Sequence, residues 1–424
     1  MVELRVAIDA RLQSGVAGGV ESVIIGLARG LSDLGGKDER YVFLCRGDST
    51  SWLEPYIGGQ SEILEIPVVH SRIGDRLTRM RGRIKRAAPF ARTIWRRRPL
   101  LPREPIGGPP PSDGTVEAHG IDVVHLTTQS GFLTEIPTIY HPHDLQHIHF
   151  PTFFSARERA IRERHYRALC EQASLVVVTS EWSRLDVTTH YRLPASRVRV
   201  IPWAPPTAVY PVPSAEDLEQ TRVRFRLPER FVLYPAQTWP HKNHVALLRA
   251  IARIRDSDGI SIPVVFSGHR NEYAREIDKI VSELGLVDEV TWVGFVSPTE
   301  LQALYRLCAA VVIPSRFEAA SGPLWEAFLA EAPSAVAAVT SLPDQAGDAA
   351  LLFDPDDEAS IARAVVQLWT DGLLRERLIA LGRDNVARFS WDLTARTFRA
   401  EYRRLAGRSL TADDHVLLNA PSPL

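Results

Sequence analysis

Short apolar runs alternate with stretches of helical periodicity along almost the whole chain. LRVAID, YVFLC, IDVVHL, TIYH and SLVVVTS form a first set, and FVLYP, PVVFSG, VTWVG, AVVIPS, SAVAAV and LLFDP a second. Such runs read as strands, whereas VIIGLARGLSDL and VALLRAIARI read as helices. Strands alternating with helices predict parallel sheets covered on both faces. WAPPTAVYPVPS separates the two sets, and its extended, proline-rich character reads as a linker. The pattern therefore predicts an α/β chain of two doubly wound domains with a cleft between them. Their expected bounds are 1–205 and 231–390, joined by a linker over 206–230. FSWDLTARTFRAEYRRL predicts a last helix over 391–408, and 409–424 reads as a frayed tail.

Composition narrows the class. A length of 424 residues exceeds what one core usually serves, and 45% apolar residues suffice for two. A formal net charge of −1 argues against a general nucleic-acid binder, which needs a basic face. Cys45, Cys170 and Cys308 lie far apart without paired spacing, so neither a zinc knuckle nor a disulfide framework is predicted. MVELRVAIDA lacks the regions of a cleaved signal, and no stretch approaches ~18 uninterrupted apolar residues. The expectation is a cytoplasmic protein with reduced thiols.

The chemistry concentrates in FEAASGPLWEAF. Glu318 and Glu326 stand eight apart just after an apolar run, with a turn of Ala, Ser and Gly between them and a helix predicted from near Pro323. Such a strand-to-helix turn points backbone N–H groups at one spot, where an anion binds. Carboxylates beside that spot accept hydrogen bonds from sugar and ribose hydroxyls, which suits a sugar nucleotide rather than a bare phosphate. The competing reading is that both glutamates merely favour the positive end of a helix dipole. Lys242 occupies a second such junction, where FVLYPAQ runs through TWPHKNH into a helix, and a cation there can neutralise a leaving diphosphate.

FVLYPAQTWPHKNH, VTWVGFVSPTELQALYRLCAAVVIPSRFEAASGPLWEAF and SLPDQAGDAALLFDPDD together resemble the family-4 retaining glycosyltransferases of the GT-B fold. The likeness covers most of residues 231–405 and extends more loosely over the first 205. It implies two Rossmann-like domains facing each other across a cleft, with 391–408 crossing back to the first. It also implies transfer of a hexose-type sugar, with retention, from a UDP- or GDP-linked donor to a glycan or lipid-linked acceptor. By this resemblance Lys242 binds the donor diphosphate, Glu318 faces the donor sugar and Glu326 holds the ribose. The turn of Ser321, Gly322, Pro323 and Leu324 supplies backbone amides to the phosphates. Gln237 stands where the family usually has an arginine five residues before the lysine, and Arg270 or Arg316 are candidates for the missing charge. Ala319, Ala320, Ser321 and Gly322 replace the family's usual glycines and aromatic residue. These departures keep a second reading open, a catalytically silent sugar-nucleotide-binding subunit of a membrane-associated glycan assembly complex.

Gly15, Gly18 and Gly19 fall in the first strand-to-helix turn, a tight turn or a ligand loop, without the spacing of a dinucleotide fingerprint. The resemblance places Gly19 on the cleft. His141, His143, His147 and His149 cluster beside Asp144; a metal site is one reading and solvated or core-capping histidines the other. The resemblance carries a cleft role to His143, with His141 as the alternative. Asp256/Asp258 and Asp354/Asp356 match an Asp-x-Asp metal signature in letters but read as turns, so no metal or other cofactor is expected. Residues 71–98, within a basic insert over 71–114, carry eleven Arg or Lys against one acid. Ile73, Leu77, Met80 and Ile84 would share one helical face there, which suits either an anionic membrane surface, with the chain peripheral on its inner side, or an ordinary helix covering the first sheet.

Overall fold

The structure is a computed structural model and describes residues 3–13, 19–36, 38–67, 107–205, 207, 210–422 and 424. Gly15, Gly18 and the basic segment 71–98 lie outside the described residues.

The described strands form two parallel sheets. The first contains β1 (Leu4–Asp9), β2 (Glu39–Arg46), β3 (Ser61–Ile66), β4 (Val123–Leu126), β5 (Thr138–Tyr140), β6 (Leu175–Val178) and β7 (Val198–Val200), in the order β3-β2-β1-β4-β5-β6-β7. The second contains β8 (Val232–Pro235), β9 (Val264–Ser267), β10 (Val290–Gly294), β11 (Ala310–Ile313), β12 (Ser334–Ala337) and β13 (Ala350–Phe353), in the order β10-β9-β8-β11-β12-β13. Every residue of β4, β6, β8, β9, β11 and β12 is buried, because helices cover both faces. In each sheet the winding reverses beside its first strand, between β1 and β4 and between β8 and β11. Reversal sends the loops on either side in opposite directions and leaves a crevice beyond the carboxyl ends of the strands. The two domains present these crevices to one cleft, lined from both of them.

The segment 206–230 is not wholly extended. Its proline-rich run stops at Pro213, and Ser214 and Asp217 form a capping box that starts a helix over Ala215–Phe225. That helix packs on Pro298–Leu307 of the second domain and adds an ion pair between Arg224 and Glu300. The segment 409–424 is not frayed either. Thr411 and Asp414 box-cap a helix over Ala412–Asn419, and Asp414 and Asp413 accept from Arg403 (2.7 Å) and Arg396 (2.5 Å).

Those arginines belong to the helix Trp391–Leu405, which leaves the second domain and lies across the first. It packs on the first helix, Gly19–Asp33, at two glycines. A Cβ at Gly26 would fall 2.0 Å from the Trp391 ring, and one at Gly30 2.8 Å from the Trp391 carbonyl oxygen. A residue larger than glycine would displace the Trp391 ring at Gly26 and the crossing helix's backbone at Gly30. The indole Nε1 donates to the Pro205 carbonyl oxygen (2.9 Å) and Thr394 Oγ1 to that of Pro202 (3.2 Å), which ties the crossing helix to the chain leaving β7. Arg403 Nε donates to Glu39 Oε1 (2.5 Å) at the start of β2. Trp391→Ala is expected to cost about 3–5 kcal/mol in urea unfolding followed by far-UV circular dichroism. A loss below about 1 kcal/mol would show that the notch does not hold the helix.

Candidate active site

The carboxyl end of β8 leads through a short 3-10 turn, Pro240–Lys242, into the helix His244–Asp258, and Asn243 between them takes a left-handed backbone (φ 58°). Its side-chain amide donates to the Pro314 and Pro355 carbonyl oxygens (3.1 and 2.9 Å), which holds this strained junction against the end of β11. Lys242 consequently points at the Glu318 loop, and its Nζ donates to Glu318 Oε1 at 2.6 Å. Glu318 itself is fixed through its main chain. Thr340 Oγ1 and Ser341 Oγ donate to its carbonyl oxygen (2.6 and 2.7 Å), and its N–H donates to Thr340 Oγ1 (3.1 Å).

A cleft of about 700 Å³ lies between the domains, and Gly19, His143, Lys242 and Glu318 line it together. His143 also has a left-handed backbone (φ 61°), and its Nε2 donates to the Thr127 carbonyl oxygen (2.8 Å). Burial pushes its imidazole down to about 4, so the ring is neutral at neutral pH. One N–H is then spent on Thr127, and Nδ1 is a buried acceptor with no partner among the described residues. His241, also on the cleft wall, is pushed down to about 2 by burial and by the charge of Lys242. His141 lies behind His143: its Nε2 meets His125 Nε2 at 2.7 Å, and His125 Nδ1 meets the Tyr402 hydroxyl of the crossing helix at 2.7 Å.

The other candidates sit differently. Gln237 does not line the cleft; its Oε1 accepts from Trp239 Nε1 (3.0 Å). Arg270 and Arg316 are paired elsewhere, with Asp278 (2.5 Å) and Asp356 (2.8 Å). In the turn before the helix Gly322–Leu329, the Ser321 amide donates to Gln345 Oε1 (2.8 Å), and Pro323 has no N–H. The amides at Gly322 and Leu324 remain, at a helix start without a side-chain cap. Glu326 is buried under that start and accepts from the Tyr305 and Tyr210 hydroxyls (2.7 and 3.1 Å). Asp354 and Asp356 form a turn, whereas Asp256 and Asp258 end a helix.

Several neighbours were invisible in the sequence. Phe317 packs against His149, Phe150 and Trp182 of the first domain, with ring centroids 5.5–6.0 Å apart. Thr179 Oγ1 donates to the Ala319 carbonyl oxygen (3.0 Å). Arg162 and His165 line the cleft from the first domain. Among the described residues, His149, Asp186 and His190 are grouped closely enough to hold a metal ion. Asp186 bonds both histidines, its Oδ1 lying 2.7 Å from His149 Nε2 and 3.0 Å from His190 Nδ1.

Comparison with known proteins bears on this arrangement. The family model described as glycosyl transferases group 1 matches residues 216–385, and that described as glycosyltransferase family 4 matches residues 17–204. The chain belongs to the group 1 glycosyltransferases. The O-antigen chain mannosyltransferase B of Escherichia coli is 26% identical to this glycosyltransferase over 61% of the present chain and 68% of its own. The D-inositol 3-phosphate glycosyltransferase of Stackebrandtia nassauensis is 30% identical over 54% and 53%, so the chain spans about half of that relative. Against the longer serotype-specific mannosyltransferase WbdA of Escherichia coli the match reaches only 30% of the relative's length. Among solved structures, Anabaena HepE in complex with UDP and glucose superposes with a TM-score of 0.67 at 17% identity, covering 95% of this chain and all of that one (100%). Sucrose-phosphate synthase from Thermosynechococcus elongatus gives 0.67 at 19% identity, over 96% and 100%. These likenesses establish the GT-B fold. No helix among the described residues is long and apolar enough to cross a membrane.

Burial raises the Glu326 carboxyl above its ordinary 4.5, against the hydrogen bonds from Tyr305 and Tyr210. The folded chain then retains a proton that the unfolded chain has released, so stability falls as pH rises from 4.5 toward the folded value. Glu326→Gln is expected to flatten that stretch of the Tm–pH curve. Tyr305→Phe should cost about 1–3 kcal/mol near neutral pH, where the carboxylate loses its shorter hydrogen bond. An unaltered curve for Glu326→Gln would show that this carboxyl carries no such penalty.

Proposed function

We propose that the glycosyltransferase moves a hexose-type sugar, with retention, from a UDP- or GDP-linked donor to a glycan or lipid-linked acceptor in polysaccharide assembly. The observation that carries this reading is the Lys242–Glu318 pair at 2.6 Å on a cleft shared by both domains, opposite the neutral His143. A leaving diphosphate develops negative charge, and a lysine held in place beside a helix start stabilises it without reorganising. Glu318 occupies one Lys242 hydrogen, and the ammonium has two further donors for phosphate oxygens. The Glu318 carboxylate accepts from sugar hydroxyls, and the His143 ring bounds the sugar from the opposite wall. Front-face displacement fits these roles, because none of the three groups is required as a nucleophile. The mannosyltransferase names among the relatives support a hexose, and the UDP and glucose bound to HepE support the UDP-linked alternative for the donor.

Metal independence belongs to the same proposal, since Lys242 and the amides at Gly322 and Leu324 supply positive potential at the diphosphate. Cytoplasmic placement at the inner face of an anionic membrane, through 71–98, completes it.

A thermal-shift screen of the full chain against UDP, GDP and their sugar conjugates, without added metal, tests the donor class. One base is expected to raise the Tm, and no response with or without divalent ions would remove the donor-site assignment. Lys242→Ala is expected to lower kcat by about 10²-fold or more, and a wild-type rate would end its assigned role. Incubation with a chelator should leave turnover unchanged; a loss restored by a divalent ion would overturn metal independence.

A further inference from the structure

The helix Ala156–Gln172 starts at a capping box formed by Ser155 and Glu158, and its sequence mixes Arg and Glu with few apolar positions. Arg162 and His165 are three residues apart and so share a face, and both line the cleft that holds Lys242 and Glu318. Arg162 is held from two sides by neutral groups. Its Nη1 donates to the Tyr166 hydroxyl (2.8 Å), and its guanidinium lies over the Phe154 ring, 4.7 Å from the centroid. Burial pushes the Tyr166 phenol above its ordinary value, so it remains neutral beside the guanidinium.

The guanidinium of Arg162 is thus placed by neutral groups and makes no ion pair among the described residues, although Asp144 and Glu158 lie near enough to feel its charge. Other arginines of this region are matched by acids: Arg11 by Asp9 (2.8 Å), Arg184 by Glu181 (2.6 Å) and Arg316 by Asp356 (2.8 Å). Asp144 lies close enough for Arg162 to stabilise its charge, yet its oxygens accept from Gln129 Nε2 (3.2 Å) and the Gln146 amide (2.9 Å), and it forms no ion pair with the arginine. His165 has no hydrogen-bonding partner among the described residues. A fixed guanidinium with spare N–H donors matches phosphate oxygens better than it matches sugar hydroxyls, because its planar fork binds them in pairs. Gln237, bonded to Trp239 and away from the cleft, adds nothing to Lys242 on the opposite wall.

We propose that Arg162, with His165 beside it, is a phosphate-recognising site that the first domain contributes to the cleft. It holds either the donor diphosphate or a phosphate carried by the acceptor. The choice between these two sources rests on the transferase reading; the site itself does not.

Isothermal titration of the full chain with inorganic pyrophosphate, followed by inorganic phosphate on the pyrophosphate-saturated chain, separates the sources. Wild type is expected to bind pyrophosphate. If Arg162 holds the donor, Arg162→Gln weakens pyrophosphate about tenfold or more. If it holds the acceptor, Arg162→Gln leaves pyrophosphate alone and weakens the second anion by about the same factor. Arg162→Lys, which keeps the charge but not the fork, should recover part of the loss and carries the test if Arg162→Gln fails to fold. Both affinities within about twofold of wild type in a folded Arg162→Gln overturn the proposal, as does a wild type that binds neither anion. Lys242→Ala keeps the two claims apart. Pyrophosphate binding that survives Lys242→Ala but not Arg162→Gln removes the donor assignment of Lys242 and leaves the Arg162 site standing.

Discussion

Two independently wound sheets have no intrinsic reason to present their carboxyl ends to each other, and the seating of Trp391 on the first helix supplies one. Gly26 and Gly30 open a notch that admits the crossing helix at backbone distance. The indole N–H then reaches the chain leaving β7, so one residue touches the first helix and the end of the first domain's sheet together. Everything in the cleft follows from that seating, because its walls belong to different domains. Arg403 and Arg396, further along the same helix, recruit the tail helix and the start of β2, which spreads the attachment over the outer face of the first domain.

Electrostatics divides the cleft by wall. The second domain brings a lysine already satisfied by a carboxylate; the first brings an arginine held by a phenol and an aromatic ring. His143 and His241 contribute no charge, since burial keeps both neutral. The histidine cluster that suggested a metal in the sequence is largely dispersed. His125 and His141 serve a buried hydrogen-bonded column ending at Tyr402, His143 turns to the cleft, and His149 faces Asp186. Lone-pair geometry rather than proximity in sequence decides which of them a ligand can use.

The strands were legible because strands covered on both faces are written as unbroken apolar runs, and so was the convergence of Gly19, His143, Lys242 and Glu318, each of which follows a strand end. The linker helix was hidden because its proline run distracts from the Ser214–Asp217 capping box beside it. Glu326 has a clear motif position, but its bonding partners stand 116 and 21 residues away, and no local pattern announces them. Arg162 was illegible for a different reason. In sequence it is one of several arginines on a polar helix, and only the fold shows that a phenol and an aromatic ring hold it without an ion pair.

Glu318 stands between two residues that the first domain grips: Phe317 lies among His149, Phe150 and Trp182, and the Ala319 carbonyl is bonded by Thr179. The carboxylate therefore rides on a short strap stitched to the opposite wall at both ends. A hinge that parts the walls must either unpick those stitches or draw the carboxylate off Lys242, so opening the cleft and relaxing its charge pair become one motion rather than two.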